Sequence, residues 1–263
     1  MIPKVIHYCW FGRKPLPKLA TKCIASWKKY FPDYEIREWN EDNFDVNQIL
    51  YTKQAYSCKK YAFVSDYARF KILYDHGGIY FDTDVEVIRS MKDLIPQAPY
   101  MGVEIDLNLS DINSISNAVN PGLGIASPPK HPFFKDMLDL YKNLHFEIEK
   151  KDYALKTVTQ YTSEQLLKNG WIPKIGTTTT VGDITIFPKQ FFCPFSWVTR
   201  HNVITDDTYS IHHYASSWLT WRQKLINKIN KHRYISLFIW LIHRSPKQNV
   251  KGLFRVIRER KIW

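Results

Sequence analysis

Apolar and polar positions change period several times along this chain. Pro3 to Phe11 is dense in β-branched and aromatic residues and stops at Gly12, which predicts a first strand near the start. Leu16 to Phe31 reads as a helix closed by Pro32, and Tyr34 to Trp39 alternates as a second strand. From Ser57 through His76 the positions Tyr61, Val64, Ala68 and Ile72 follow a helical period that Gly77-Gly78 ends. Ile79 to Phe81 is a short buried strand running into Asp82-Thr83-Asp84, with more strand over Val85 to Ile88. This β-α-β-α-β order argues for an α/β domain with a parallel or mixed sheet.

Further on, His131-Pro132 opens a helix to Leu144, and Ser163 to Lys168 makes another. Ile184 to Phe187 and Tyr209 to His213 read as strands, and the domain is expected to close near Trp221, giving a catalytic-sized domain over 1–221 and a tail over 222–263. In the tail, Val250, Leu253, Phe254 and Ile257 fall at i, i+3, i+4 and i+7. Trp218, Trp221, Leu225 and Ile229 repeat much the same spacing.

Charge sharpens the division. Of the formal +12, twelve basic residues against one acid, Glu259, put +11 in Trp218–Trp263, leaving +1 for the first 217 residues. Basic amphipathic helices flanking an aromatic run suit the surface of an anionic membrane. A helical subdomain packed on the core with a solvated basic face is the alternative. The longest apolar run, Ile235 to Ile242 interrupted only by Ser236, is far shorter than the roughly 20 residues that span a bilayer. Cys9, Cys23, Cys58 and Cys193 lack CxxC spacing, and no apolar leader precedes the first strand, so a reducing, cytoplasmic setting is expected.

The chemistry concentrates in twenty residues. Asp66 and Arg69 are i, i+3 on one helix face, the glycine pair would let backbone approach a ligand, and Asp82 and Asp84 follow a buried strand. Open α/β sheets bind ligands at such strand ends. As alternate residues of a continuing strand, both carboxylates would face one hard divalent cation. Such a cation, Mn²⁺ or Mg²⁺, acts as a Lewis acid on negative charge that develops beside it.

Ile2 to Gly12, Ser65-Asp-Tyr-Ala-Arg69, Gly77-Gly-Ile-Tyr-Phe-Asp-Thr-Asp84 and His212-His-Tyr-Ala-Ser-Ser-Trp218 together resemble the family 32 glycosyltransferases that carry a DXD sugar-binding region, as found among bacterial capsular polysaccharide enzymes and fungal mannosyltransferases. The resemblance implies a GT-A-type nucleotide-sugar-binding fold with a mixed central sheet, and transfer with retention. By position, His7 and Trp10 would meet the donor base, and Ser65, Asp66, Arg69 and Tyr80 its ribose and sugar. Asp82, Asp84 and His213 would hold the metal, with Ser216, Ser217 and Trp218 closing over the donor. His212 competes with His213, since adjacent strand residues face opposite ways. Asn120-Pro-Gly-Leu-Gly124 is either the loop lining the acceptor cleft or a plain turn.

The implied activity moves a hexose, from UDP-galactose or UDP-glucose first and GDP-mannose in reserve, to a lipid-linked saccharide in capsular or surface polysaccharide synthesis. The enzyme would sit peripherally at the inner face of the membrane through its basic tail. An aspartate-nucleophile phosphatase also opens with Asp-x-Asp after a strand, but expects Thr or Val where Glu86 stands. A basic nucleic-acid-binding protein is the non-enzymatic rival. No nucleic-acid partner is expected, because the basic residues are confined to the tail rather than interleaved with the strands.

Overall fold

A computed structural model describes residues 1–94, 99–146, 156–196, 199 and 201–215. The expected boundary near Trp221, the helical tail, and Ser216, Ser217 and Trp218 lie outside the described residues. Met1–Ala215 forms one compact unit.

The first half follows the predicted alternation, with one unpredicted helix, Leu50–Ser57, added before the helix that ends at Gly77. β1 (Val5–Cys9), α1 (Lys18–Tyr30), β2 (Glu35–Trp39), α2 (Leu50–Ser57), α3 (Tyr61–His76) and β3 (Gly78–Tyr80) come in order. They are followed by β4 (Val85–Val87), β5 (Tyr100–Gly102), α4 (Ile112–Ile115), β6 (Ile125–Ser127), α5 (Pro132–Lys142), α6 (Val158–Lys168), β7 (Thr179–Val181), β8 (Ile184–Phe187) and β9 (Ser210–His212). The main sheet has seven strands in the order β2-β1-β3-β6-β5-β8-β7, while β4 and β9 form a separate antiparallel pair.

Pairing directions decide where ligands can go. β1 runs parallel to both β2 and β3; β6 is antiparallel to β3 and to β5; β5 is parallel to β8. The carboxyl ends of β1, β2, β3, β5 and β8 therefore share one edge of the sheet, and the chain enters β6 from that edge. With β2 on one side of β1 and β3 on the other, β1 is a topological switch point, where open α/β sheets form a crevice.

Helices cover both faces. On one, α1 buries Cys23 and Trp27 against Ile6, Ile79 and Phe81. The Trp27 indole donates to the Val85 carbonyl at 2.8 Å, so α1 fixes the start of β4. On the other face α3 and α5 pack Phe70, Phe134 and Tyr141 together. Losing a buried aromatic such as Trp27 costs about 3–5 kcal/mol.

Two expectations change here. The segment after β3 is a turn, closed by the Val85 amide donating to the Asp82 carbonyl at 3.0 Å, rather than a continuing strand. The glycine pair serves packing: a Cβ at Gly77 would meet Pro129 and Pro3 at 2.7–2.8 Å, and one at Gly78 would lie 2.6 Å from the Val5 carbonyl oxygen. Both have positive φ, 66° and 99°, so they end α3 and let β3 lie against β1.

Candidate active site

Three side chains from two distant segments converge at the switch-point edge. Asp82 and Asp84 leave β3 through the turn, and β9 returns from 130 residues later to pair with β4, with His212 opposite Val85. One ligand atom from each of Asp82, Asp84 and His212 lies within 4.8 Å of the others, the one such group of three among the described residues. Two carboxylate oxygens and an imidazole nitrogen suit Mn²⁺ or Mg²⁺, and the imidazole tilts the set toward Mn²⁺.

Each acid is held from behind. Arg69 Nη2 lies 2.9 Å from Asp66 Oδ1 and 3.2 Å from Asp82 Oδ1. Its Nε donates to the Ser65 carbonyl at 3.2 Å, and its guanidinium lies over the Tyr80 ring at 5.0 Å. Tyr80 donates its hydroxyl proton to Asp82 Oδ1 at 3.0 Å. Asp84 Oδ2 accepts from the Ala215 amide at 2.7 Å, and its Oδ1 sits 3.3 Å from His212 Nε2.

The electrostatics separate the two acids of the DXD. Burial, with Asp84 adding repulsion, raises the Asp82 carboxyl above its usual range despite Arg69. Burial also works against Asp84, but His212 and the Ala215 amide outweigh it and hold Asp84 low. Burial, opposed by Arg69, pushes Asp66 up to about 7. For His212 burial favours the neutral ring, yet Asp84 and Glu104 together raise it to about 10. Two facing carboxylates, one of them discouraged from ionising, are the chemistry a divalent cation relieves.

The remaining sequence-predicted residues divide. Trp10 follows β1 at the same edge and lines a groove of about 300 Å³ with Arg13, Lys14, Pro15, Glu38, Asn40, Glu41 and Asp42. Its indole donates to the Lys14 carbonyl at 2.5 Å. Ser65 is half-buried, with its hydroxyl donating to the Tyr61 carbonyl at 3.2 Å. His7 does not reach the groove. It is fully buried, donating from Nε2 to the Gly77 carbonyl at 3.0 Å and accepting at Nδ1 from the Trp39 indole at 3.0 Å.

His213 also departs from expectation. Its Nε2 meets Glu86 Oε2 at 2.8 Å, and Glu86 in turn binds Lys22 at 2.8 Å. Strand alternation sends one of the two adjacent histidines to each face, and the register of β9 on β4 gives the acidic pair to His212. Glu104, which no motif in the sequence marks, follows β5 and lies 3.6 Å from His212 Nδ1. The 120–124 loop is more than a plain turn. Asn120 Oδ1 accepts from the Gly122 amide at 2.7 Å, and a Cβ on Gly122 would come within 2.1 Å of Asp82 Oδ2. The loop therefore seats the DXD.

Sequence comparison converges on the same residues. The glycosyltransferase sugar-binding region containing the DXD motif matches residues 17–101, which takes in Asp66, Arg69, Asp82 and Asp84. An uncharacterized glycosyltransferase, L373, of Acanthamoeba polyphaga mimivirus is 27% identical over 231 residues, covering 83% of this chain and 84% of that protein. Inositol phosphoceramide mannosyltransferase 1 of Schizosaccharomyces pombe is 26% identical over 155 residues, 55% of this chain but only 42% of the relative. Among solved structures, the PaToxG glycosyltransferase aligns at TM-score 0.47 and 21% identity over 64% of this chain and 69% of its own. The chain is thus an enzyme of the glycosyltransferase class, with its DXD region on a mixed α/β fold such as the sequence implied.

Proposed function

We propose that this enzyme is a retaining, metal-dependent hexosyltransferase using a nucleoside-diphosphate sugar. The observation that carries the reading is the convergence of Asp82, Asp84 and His212 at the sheet's switch point. These three would hold Mn²⁺ or Mg²⁺, which when bound supplies Lewis-acid neutralisation of the departing diphosphate. Arg69 and Tyr80 fix Asp82 on the inner side, and the Ala215 amide fixes Asp84. Trp10, on its groove across the switch point, offers an indole face for the donor base.

Retention by same-face attack fits how the neighbouring acids are engaged. Asp66 is paired with Arg69, and Glu104 faces His212, so neither is presented as a free nucleophile. The acceptor hydroxyl oxygen would bond to the anomeric carbon as the bond to the diphosphate breaks, its proton passing to the departing phosphate oxygen. The donor proposed first remains UDP-galactose or UDP-glucose. The mannosyltransferase relatives support GDP-mannose as the second candidate, and a lipid-bearing acceptor accords with their inositol phosphoceramide substrate. We place the reaction in capsular or surface polysaccharide synthesis, on a lipid-linked saccharide at the inner face of the membrane, reached through the basic tail. No helix among the described residues is long and apolar enough to cross a membrane.

A thermal-shift panel of UDP-, GDP- and CMP-sugars, each with and without Mn²⁺, tests this reading. A ligand at 100 times its dissociation constant stabilises the native state by about 2.7 kcal/mol. The expected result is one base class that raises the melting temperature, and more so with Mn²⁺. A panel in which no nucleotide sugar shifts it under either condition contradicts the proposal.

A further inference from the structure

His212 is the ligand that the chain must bring from furthest away, and one of its ring nitrogens lacks a settled partner. The side chain is 10% exposed. Its Nε2 faces Asp84, while Nδ1 is buried without a hydrogen bond, and the atom ahead of it is Glu104 Oε1 at 3.6 Å. A buried ring N–H left unpaired costs about 1–3 kcal/mol, whereas a shift of a few tenths of an ångström would give it a charged acceptor.

Glu104 is well placed to be that acceptor. Its amide donates to the Ala118 carbonyl at 2.8 Å, and the preceding Val103 amide donates to Phe187 at 2.9 Å. Val103 also bridges to Val119, so the residue projects from a pinned extension of β5 at the sheet edge that holds the DXD. The Glu104 side chain is 15% exposed. The Tyr214 ring lies 4.5 Å from the imidazole centroid, with its hydroxyl also facing Glu104.

We propose that Glu104 is a positioning residue of the metal site: it takes the Nδ1–H of His212 and thereby presents Nε2, with its lone pair, to the space between Asp82 and Asp84. A neutral imidazole ligates through one nitrogen and carries its proton on the other, and the partner of the second nitrogen decides which is which. Ring-orienting carboxylates of this kind are worth about 10- to 100-fold in metal affinity. The inference rests on the metal reading of the site given above.

The test is titration of Mn²⁺ alone into the full chain, with free Mn²⁺ followed by electron paramagnetic resonance. Glu104→Gln keeps an acceptor oxygen; Glu104→Leu keeps most of the volume and removes it, with Glu104→Ala in its place should the leucine variant not fold. Melting temperatures in EDTA identify variants that are merely misfolded. The expected result is a dissociation constant raised about 10- to 100-fold by Glu104→Leu and clearly less by Glu104→Gln. Affinity within twofold of wild type for the folded leucine or alanine variant overturns the inference and leaves the metal reading standing. Equal losses in glutamine and non-acceptor variants also overturn it. A wild-type chain that takes up no Mn²⁺ removes the metal reading and this inference together.

Discussion

Arg69 shows how one side chain can decide the state of several acids. It is 3% exposed, and its guanidinium is divided among Asp66, Asp82, the Ser65 carbonyl and the Tyr80 ring. Burial works against its charge, but Asp82, Tyr80 and Asp66 more than compensate and hold it charged. A lysine keeps the charge but cannot fork between two carboxylates. Arg69→Lys is expected to cost about 2 kcal/mol, read from the urea midpoint, and to lower turnover more than tenfold at saturating metal. Wild-type turnover in that variant would mean that Asp82 is positioned without it. The i, i+3 spacing of Asp66 and Arg69 was legible in the sequence because helical geometry fixes it locally. The choice between His212 and His213 was not, because it depends on how β9 registers on β4, a contact between segments over 120 residues apart.

At the scale of elements, the strand ends carry the function. Trp10 after β1, Asp82 after β3, Glu104 after β5 and Gly122 before β6 all arrive at one edge because five strands run the same way and β6 runs back. Gly122→Ala tests that assembly: the new Cβ would displace the Asp82 carboxylate from 2.1 Å away. Mn²⁺ affinity should fall by about tenfold or more, with a melting temperature in EDTA only a few degrees lower. Unchanged affinity would show that the 120–124 loop yields instead.

His7 belongs to this scale too, since it ties β1 to the end of α3 and to Trp39 of β2. Burial lowers its pKa from 6.5 to about 4, partly opposed by the Gly77 carbonyl. Between those values the unfolded chain binds a proton that the folded chain refuses, so stability is full above pH 6.5 and is lost as pH falls toward 4. The loss is about 3 kcal/mol. Urea unfolding across that window should show it, and a His7→Gln variant should flatten the slope; an unaltered slope would contradict the assignment.

The long elements of the first half were legible because their periodicity runs over many residues: α1 and α3 fall within one or two residues of the predicted spans at their C-terminal ends. β5, β6 and β7 are three residues each, too short for any period to register. The burial of His7 is not legible in the sequence, because its position three residues before Trp10 says nothing of which face of β1 it occupies. The glycine pair was legible as a helix stop but not as a packing requirement, since Pro3 and Pro129 come from elsewhere in the chain.

For the whole molecule, charge and chemistry lie in different parts of the chain. The site residues fall in a near-neutral stretch, and +11 is carried by the last 46 residues. At an anionic surface each such cation contributes about 1 kcal/mol. Replacing Arg255, Arg258, Arg260 and Lys261 with Gln in the full chain should weaken sedimentation with phosphatidylserine vesicles on the order of a hundredfold at low salt. High salt should weaken the wild type likewise. Equal binding by both proteins, or none by either, would count against a membrane role for the tail.

The central claim is that Asp82, Asp84 and His212 form a cation site on which sugar transfer depends. Its most direct measurement is nucleoside-diphosphate release from the nucleotide sugar selected by the thermal-shift panel, followed across Mn²⁺ concentration for wild type and Asp84→Asn. The substitution keeps volume and removes one carboxylate charge from the site. Wild-type turnover should be negligible in EDTA and rise to saturation with Mn²⁺. Asp84→Asn should remain roughly a hundredfold or more below it, for a loss of about 3 kcal/mol in the barrier, while melting within a few degrees of wild type in EDTA. Turnover that persists in EDTA, or a variant that matches wild type at limiting Mn²⁺, would contradict the account.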